Sequence, residues 1–372
     1  MTTWKAPGKL ILFGEHSVVY GKHAVAAALS LATSAVARFT PSPPSSTAAT
    51  APQSLSVCVH TVPRARGAEE TARLEAAVRA MAGALGARDG ALELWVRGDV
   101  PEGAGLGSSA ALCVASAAAV RDALADYRCE ARGAWRAAVD AAALAGERVF
   151  HASPSGVDNA VSTHGGALLF ARGAVRAHLS LSPGGGNDFS TGNGSGNGKV
   201  GSRTTSSIST GTTTTTLSGI RVLVVDTGVP RSTAEAVRAV RARRESQPAQ
   251  VDAALARMDA IALEAFARLQ ARPRDYGALD ALVDENHRLL RDALGVGNPA
   301  VDRAVALCAA AGVHAKITGA GCGGCVFGFL APSLAPRTLD SLTRALTSAG
   351  MRPLVVSLGA PGVSQVPAQP PF

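Results

Sequence analysis

The sequence is poor in aromatic residues and contains no cysteine framework. Phenylalanine, tryptophan and tyrosine make up 4% of the 372 residues, and no basic block is interleaved with them, so we expect no nucleic-acid partner. Six cysteines are scattered through apolar runs and the first residues lack a signal-peptide core, so we expect a cytoplasmic location. The longest uncharged runs are rich in Gly, Ser and Ala, so we expect no membrane segment.

Lysine is also scarce, because arginine supplies most of the positive charge. The five lysines are Lys5, Lys9, Lys22, Lys199 and Lys316. Ammonium and guanidinium differ in size and hydration, so a retained lysine either marks a site that needs a compact cation or reflects chance. The net charge of +8 suits small phosphates as well as it suits larger anions.

The sequence contains enough hydrophobic residues to form a large core. Hydrophobic residues make up 47% of the chain, charged residues 17%, and the mean hydropathy is +0.17, which excludes disorder along the whole chain. A length of about 150 residues per domain predicts about two domains. We place the first at residues 1–228 and the second, richer in amphipathic helices, at 229–360, followed by a flexible tail at 361–372.

Local patterns predict the elements that flank the candidate motifs. Residues 9–13 are predicted to form a strand, and the alanine-rich residues 23–35 a helix. Residues 183–219 are rich in Gly, Ser and Thr and are predicted to be a disordered surface insertion without catalytic function.

The segment PEGAGLGSSAALCVA follows a predicted strand and opens a predicted helix. Gly103, Gly105 and Gly107 would let the backbone approach a ligand, and the first amides of a helix starting near Ser108 and Ser109 would bind phosphate. An ordinary glycine turn with a serine cap is the alternative. The segment is not a Walker A loop, because no lysine precedes the hydroxyl residues.

A second glycine segment, KITGAGCGGCVFGFL, contains Gly319, Gly321 and Gly324 in the GxGxxG spacing. A dinucleotide site requires a helix after these glycines, whereas CVFGFL is typical of a strand, so a nicotinamide-dependent oxidoreductase is a weak alternative. We predict a turn between strands that closes over a phosphate or supports the first loop.

Polar residues in two other segments are candidates for the acceptor side of a cleft. Lys9, Glu15 and His16 surround one predicted strand and turn, although each alone is unremarkable. Glu147 lies late in a predicted helix. Asp158 is either a helix cap or a base that accepts a proton from a hydroxyl nucleophile.

Taken together, three motifs resemble the kinases named for galactokinase, homoserine kinase, mevalonate kinase and phosphomevalonate kinase, the GHMP kinases. The motifs are KAPGKLILFGEHSVVYGK, GAGLGSSAA and KITGAGCGGC, in this order. Within that superfamily the sequence is most similar to the mevalonate kinase family, through GEHSVVYG, GERVFHASPSGVDNAVSTHGG and DTGVPRSTAEAV. Cys322 stands where the third motif usually has glycine.

The resemblance implies an α+β protein with a ribosomal-S5-domain-2-like N-terminal domain and a ferredoxin-like C-terminal domain with extra helices. It also implies transfer of the γ-phosphoryl group of ATP to the 5-hydroxyl of mevalonate with Mg²⁺, a homodimer, and feedback inhibition by isoprenyl diphosphates. Another GHMP kinase, acting on galactose, homoserine or phosphomevalonate, and a non-catalytic ligand sensor on the same fold remain alternatives.

The resemblance further assigns roles to individual residues. Asp158 and Lys9 are implied to be catalytic, and Ser109 and Glu147 to bind Mg²⁺. The implied phosphate loop is Gly103, Ala104, Gly105, Leu106, Gly107, Ser108 and Ser109. The implied substrate-binding residues are Lys9, Glu15, His16, Asp158 and Thr233, and the implied supporting loop contains Gly319, Ala320, Gly321 and Gly323.

Overall fold

The computed structural model describes residues 2–42, 55–62, 67–87, 89–125, 135–151, 155–179 and 219–367. Nearly all of the predicted insertion at 183–219 lies outside these ranges. Within them, no helix is both long and apolar enough to cross a lipid bilayer.

The first part of the chain forms six strands and four α-helices in the described ranges. The strands are β1 (Thr3–Phe13), β2 (Ala24–Thr40), β3 (Leu55–Val62), β4 (Gly90–Gly98), β5 (Ala167–Ala171) and β6 (Ala174–Leu179). The helices are α1 (Ala68–Ala84), α2 (Ser108–Ala125), α3 (Trp135–Phe150) and α4 (Val157–His164). A short 3₁₀ turn, Ser17–Tyr20, connects β1 to β2.

The remainder forms five strands and five α-helices, counted over residues 219–367. The strands are β7 (Arg221–Asp226), β8 (Lys316–Thr318), β9 (Cys325–Leu330), β10 (Arg352–Ser357) and β11 (Ser364–Val366). The helices are α5 (Thr233–Ser246), α6 (Pro248–Gln270), α7 (Tyr276–Arg288), α8 (Pro299–Ala310) and α9 (Pro336–Ser348). A π-helical turn, Leu289–Ala293, continues α7.

The first sheet has the order β11-β1-β2-β4-β3, with β5 paired to β2 and β6 paired to β5. β3 and β4 are parallel and are joined through α1, the crossover that parallel strands require. Helices α2 and α4 pack against β1 and β2. This packing brings the start of α2 and the start of α4 close to β1.

The predicted helix at residues 23–35 is wrong, because this segment is the long strand β2. Alanine favours helices intrinsically, but β2 is buried on both faces, and a strand of that kind shows a continuous apolar run instead of alternation. One face lies in the core shared with the second sheet, and the other packs against α4 and β5. The first face contains Val25, Ala27 and Leu29, and the second contains Ala26 and Ala28.

The second sheet has the order β10-β7-β9-β8, with every neighbouring pair antiparallel. Numbered within this domain, the order is 4-1-3-2, which is the ferredoxin-like arrangement. β7 is a central strand of this sheet and precedes residue 228, the predicted end of the first domain, and that boundary stays a prediction.

The two sheets share one hydrophobic core. Leu10 and Val25 from the first sheet lie in the same cluster as Val222, Phe327 and Ile261 from the second domain. Within the segment predicted to be a flexible tail, β11 pairs with β1 as an antiparallel strand. Residues 368–372 lie outside the described ranges.

A buried histidine on α7 makes the stability of this fold sensitive to acid. Neither ring nitrogen of His287 finds a hydrogen-bond partner among the described residues. Burial, with the nearby charges of Lys316 and Arg291, lowers its pKa from 6.5 to about 4. In the unfolded chain the same side chain binds a proton below about pH 6.5.

We therefore expect the free energy of unfolding to fall between pH 6.5 and pH 4, by about 1.4 kcal/mol per pH unit from this group. Urea unfolding at pH 7 and pH 5 should show a smaller loss in His287→Leu than in the wild type. A matched substitution of the exposed His60 on β3, His60→Leu, should not reduce the loss. If the free energy of unfolding of His287→Leu falls as much between pH 7 and pH 5 as that of the wild type, His287 is not the source of the acid sensitivity.

Candidate active site

The loop between β4 and α2 is shaped by glycines in the left-handed region. Gly103, Gly105 and Gly107 have φ values of 71°, 79° and 73°, which glycine adopts without steric cost. A Cβ at Gly107 would lie 2.7 Å from Cγ of Lys9. The amide of Lys9 donates to the carbonyl of Leu106 at 2.8 Å. Residues 103–109, the phosphate loop from here on, therefore lie directly against β1.

Lys9 also contacts Asp158 across the same space. The distance from Nζ to Oδ1 is 3.1 Å, and the side chains are 6% and 32% exposed. Asp158 is the second residue of α4, after Gly156 in the left-handed conformation, and a carboxylate in the first turn is favoured by the helix dipole. One lysine thus joins the candidate base to the phosphate loop.

Ser109 and Glu147 meet beside this ion pair. The Ser109 hydroxyl donates to Oε1 of Glu147 at 2.8 Å, whereas the buried Oε2 finds no partner in the described part of the chain. Burial raises the pKa of the Glu147 carboxyl, the Ser109 hydrogen bond opposes the rise, and the charge of Asp158 adds to it. His151, which sequence reasoning did not assign, lies 3.5 Å from Oε1 of Glu147.

The main residue that sequence reasoning missed is Arg231, two positions before the predicted Thr233. A Cβ at Gly105, Gly319 or Gly324 would collide with the Arg231 side chain, so the guanidinium lies between the phosphate loop and the loop of the third motif. Its buried Nη1 has no partner within the described ranges. Thr233 is the exposed first residue of α5, and its substrate contact stays a prediction.

The third motif, which includes the second glycine segment, forms a loop between β8 and β9. This loop, residues 319–324, is called the third glycine loop from here on. A strand follows its glycines, as predicted, and not the helix of a dinucleotide site. The thiol of Cys325 donates to the carbonyl of Ala104 at 3.0 Å, joining this third glycine loop to the phosphate loop. Cys322 has a φ of 58°, a conformation that favours the glycine usual at this position.

His16 and Glu15 occupy the turn after β1, residues 14–20, here called the acceptor turn. Nε2 of His16 lies 2.8 Å from the carbonyl of Ala320. Burial lowers the pKa of His16, so the neutral ring donates through Nε2–H to this carbonyl and keeps a lone pair on Nδ1. Glu15 is fully buried with both carboxylate oxygens hydrogen-bonded. The substrate contact of Glu15 stays a prediction, and both of its carboxylate oxygens already have protein partners.

Comparison with known proteins agrees with these features. Profiles of the GHMP kinases N terminal domain and the GHMP kinases C terminal domain match residues 72–166 and 262–347. The mevalonate kinase of Mus musculus is 34% identical, covering 96% of this chain and 93% of the relative. The chain belongs to the mevalonate kinase family. The mevalonate kinase of Archaeoglobus fulgidus is 32% identical, over 87% of this chain and 90% of its own.

A solved member of the mevalonate kinase family has the same fold. The crystal structure of L. major mevalonate kinase in complex with R-mevalonate matches with a TM-score of 0.70 and 23% identity, over 96% of each chain. The resemblance inferred from the three motifs and the predicted fold class are thereby confirmed.

The position of Arg231 predicts different effects for two glycine substitutions in the phosphate loop. Gly103→Ala and Gly105→Ala both place a side chain at a positive φ, but only at Gly105 does the new methyl group meet the guanidinium. We expect each to lower the stability by about 1 kcal/mol. Only Gly105→Ala should also displace Arg231.

Calorimetric titration measures the ATP affinity of each variant. Gly103→Ala is the control, because it reports the effect of backbone strain alone. We expect the ATP dissociation constant to rise by roughly tenfold more in Gly105→Ala, the effect of losing about one charged contact. Equal affinities in the two variants would argue against Arg231 as part of the phosphate site.

Proposed function

We propose that this protein transfers the γ-phosphoryl group of ATP to the 5-hydroxyl of mevalonate, forming 5-phosphomevalonate. The observation that carries the proposal is the position of Lys9, which contacts Asp158 and packs against the phosphate loop at the start of α2. Membership of the mevalonate kinase family supports the choice of acceptor.

The nucleotide phosphates would lie against the start of α2. The first amides of a helix are unpaired and carry partial positive charge, so they bind phosphate oxygens. Arg231 adds a guanidinium between the phosphate loop and the third glycine loop. Phosphoryl transfer through a loose transition state depends chiefly on such alignment and charge neutralisation.

Ser109 and Glu147 fit the requirements of Mg²⁺. Both offer oxygen ligands, and the unpartnered Oε2 of the buried Glu147 carboxyl is a polar atom that lacks a protein partner among the described residues. The part of the chain that the structure describes contains no cluster of three or more His, Cys, Asp or Glu that could hold a metal ion without other ligands. Mg²⁺ commonly takes one or two carboxylates together with substrate phosphates. When bound, it would neutralise charge on the phosphates.

Asp158 is positioned to receive the proton of the acceptor alcohol. Its carboxylate is 32% exposed, which leaves a surface for the hydroxyl, and Nζ of Lys9 lies 3.1 Å from its Oδ1. Lys9 can also stabilise the alkoxide that develops as the proton leaves. His16 would bind the acceptor on the opposite side through the free lone pair of Nδ1.

Replacing Asp158 should separate turnover from binding. Asp158→Asn keeps the shape but cannot accept the proton, so we expect kcat to fall by about 10² to 10⁴-fold, with the fold and ATP affinity retained. A coupled assay of ADP release measures turnover, and calorimetry measures ATP binding. Asp252→Asn, which removes an exposed carboxylate paired with Arg244, is the matched control. Near-normal turnover in Asp158→Asn would remove this residue from the mechanism.

The choice of acceptor is tested with a panel of alcohols. Mevalonate, phosphomevalonate, homoserine and galactose are each supplied to the wild-type enzyme with ATP and Mg²⁺, and ADP release is followed. We expect kcat/KM for mevalonate to exceed that for each other alcohol by roughly 10²-fold or more, since polar groups left unpaired penalise a wrong substrate. A preference for another alcohol would reassign the activity within the superfamily.

Three further properties are proposed from family resemblance alone. They are a homodimer, inhibition by isoprenyl diphosphates that compete with ATP, and a cytoplasmic location. Light scattering on the purified protein and inhibition by farnesyl diphosphate at varied ATP concentration test the first two directly.

A further inference from the structure

A fully buried ion pair joins the acceptor turn to the second domain. It connects Lys316, on β8, with Glu15, directly after β1, and both side chains have 0% exposure. The ammonium also donates to the carbonyl of Ile317 at 2.7 Å. The second carboxylate oxygen of Glu15 accepts from Nδ2 of Asn286, on α7, at 3.2 Å. The pair therefore unites three segments that are distant in sequence.

Two aromatic rings flank the ammonium of the pair. Nζ of Lys316 lies 5.5 Å from the ring centroid of Phe13 and 5.1 Å from that of Phe327. Removing two charges from water is costly, and buried pairs of this kind often stabilise a fold no better than apolar side chains of similar volume. Their benefit is then the specific geometry that they impose on neighbouring groups.

That geometry concerns the acceptor turn and the third glycine loop. Close to the pair, the hydroxyl of Thr318 donates to the carbonyl of Ile11 at 2.8 Å. Further along both segments, His16 donates to the carbonyl of Ala320. His16 has a φ of 59°, which a residue with a side chain holds only where its surroundings fix it. The ion pair and these two contacts therefore join the same two chain segments, residues 11–16 and 316–320.

We propose that Glu15 and Lys316 are positioning residues for the acceptor site. The pair holds His16 and the Ala320 carbonyl in register, and so sets the shape of the pocket that receives the alcohol, while the phosphate loop is held by other contacts. Neither residue touches the substrate. This inference rests on the proposed function, because it assigns the acceptor turn to alcohol binding.

The test compares Lys316→Met, Glu15→Gln and the double variant. Each single variant leaves one buried charge without its partner, so we expect its melting temperature to fall, whereas the double variant removes both charges and should recover much of that loss. We expect the KM for mevalonate to remain raised by roughly 10-fold to 100-fold in the double variant, because the alignment of His16 with the Ala320 carbonyl is not restored. The KM for ATP should stay close to the wild-type value.

A purely structural role predicts a different result. If the double variant recovers the KM for mevalonate together with its melting temperature, the proposal is overturned. Asp259→Ala is the matched control, because it removes a partly exposed contact between the same domains, the 2.9 Å contact with His23, away from the third glycine loop. It should leave the KM for mevalonate at the wild-type value.

Amide hydrogen exchange gives a measurement that does not require turnover. In the double variant, residues 14–20 and 319–324 should exchange faster, and residues 108–125 should not change. Unchanged exchange in the first two segments would overturn the proposal. If the wild type does not phosphorylate mevalonate, the proposed function fails, whereas the exchange result still decides whether the pair fixes these two loops.

Discussion

The ion pair between Lys9 and Asp158 is the contact on which the arrangement of the site depends. Lys9 lies within β1, in the body of the first sheet, and its backbone is hydrogen-bonded to the phosphate loop. Asp158 opens α4, which packs on the same sheet. The aliphatic stem of Lys9 packs against Gly107, and its ammonium is more compact than a guanidinium would be. The donor and acceptor sides of the proposed reaction are therefore aligned by one side chain.

The rest of the fold keeps this alignment rigid. Apolar side chains from both sheets pack together in one core, and hydrogen bonds join the phosphate loop, the third glycine loop and the acceptor turn. Cys325 links the third glycine loop to the phosphate loop, and His16 links it to the acceptor turn. Groups that are held in place before the substrate arrives need little reorganisation during the reaction, which is where electrostatic catalysis gains most.

The sequence predicted the parts of the site that are local in the chain. The phosphate loop follows a strand and opens a helix, and both elements carry strong local patterns. Arg231 was missed although it lies in the segment DTGVPRSTAEAV, because no local pattern shows that its side chain reaches two distant glycine loops. The reason for Gly105, Gly319 and Gly324 becomes visible only when the folded chain brings them to one guanidinium. The burial of Glu15 and the strand β2 were likewise decided by tertiary packing, which overrides local propensity.

The pairing of β11 with β1 also protects an edge of the first sheet. Thr3 is paired with Val366, so this edge is covered by a strand that lies far from β1 in the sequence. Without β11, one edge of β1 would lack its partner strand, and unpaired edges are prone to association with other chains. Displacement of this short strand would therefore favour self-association of the protein.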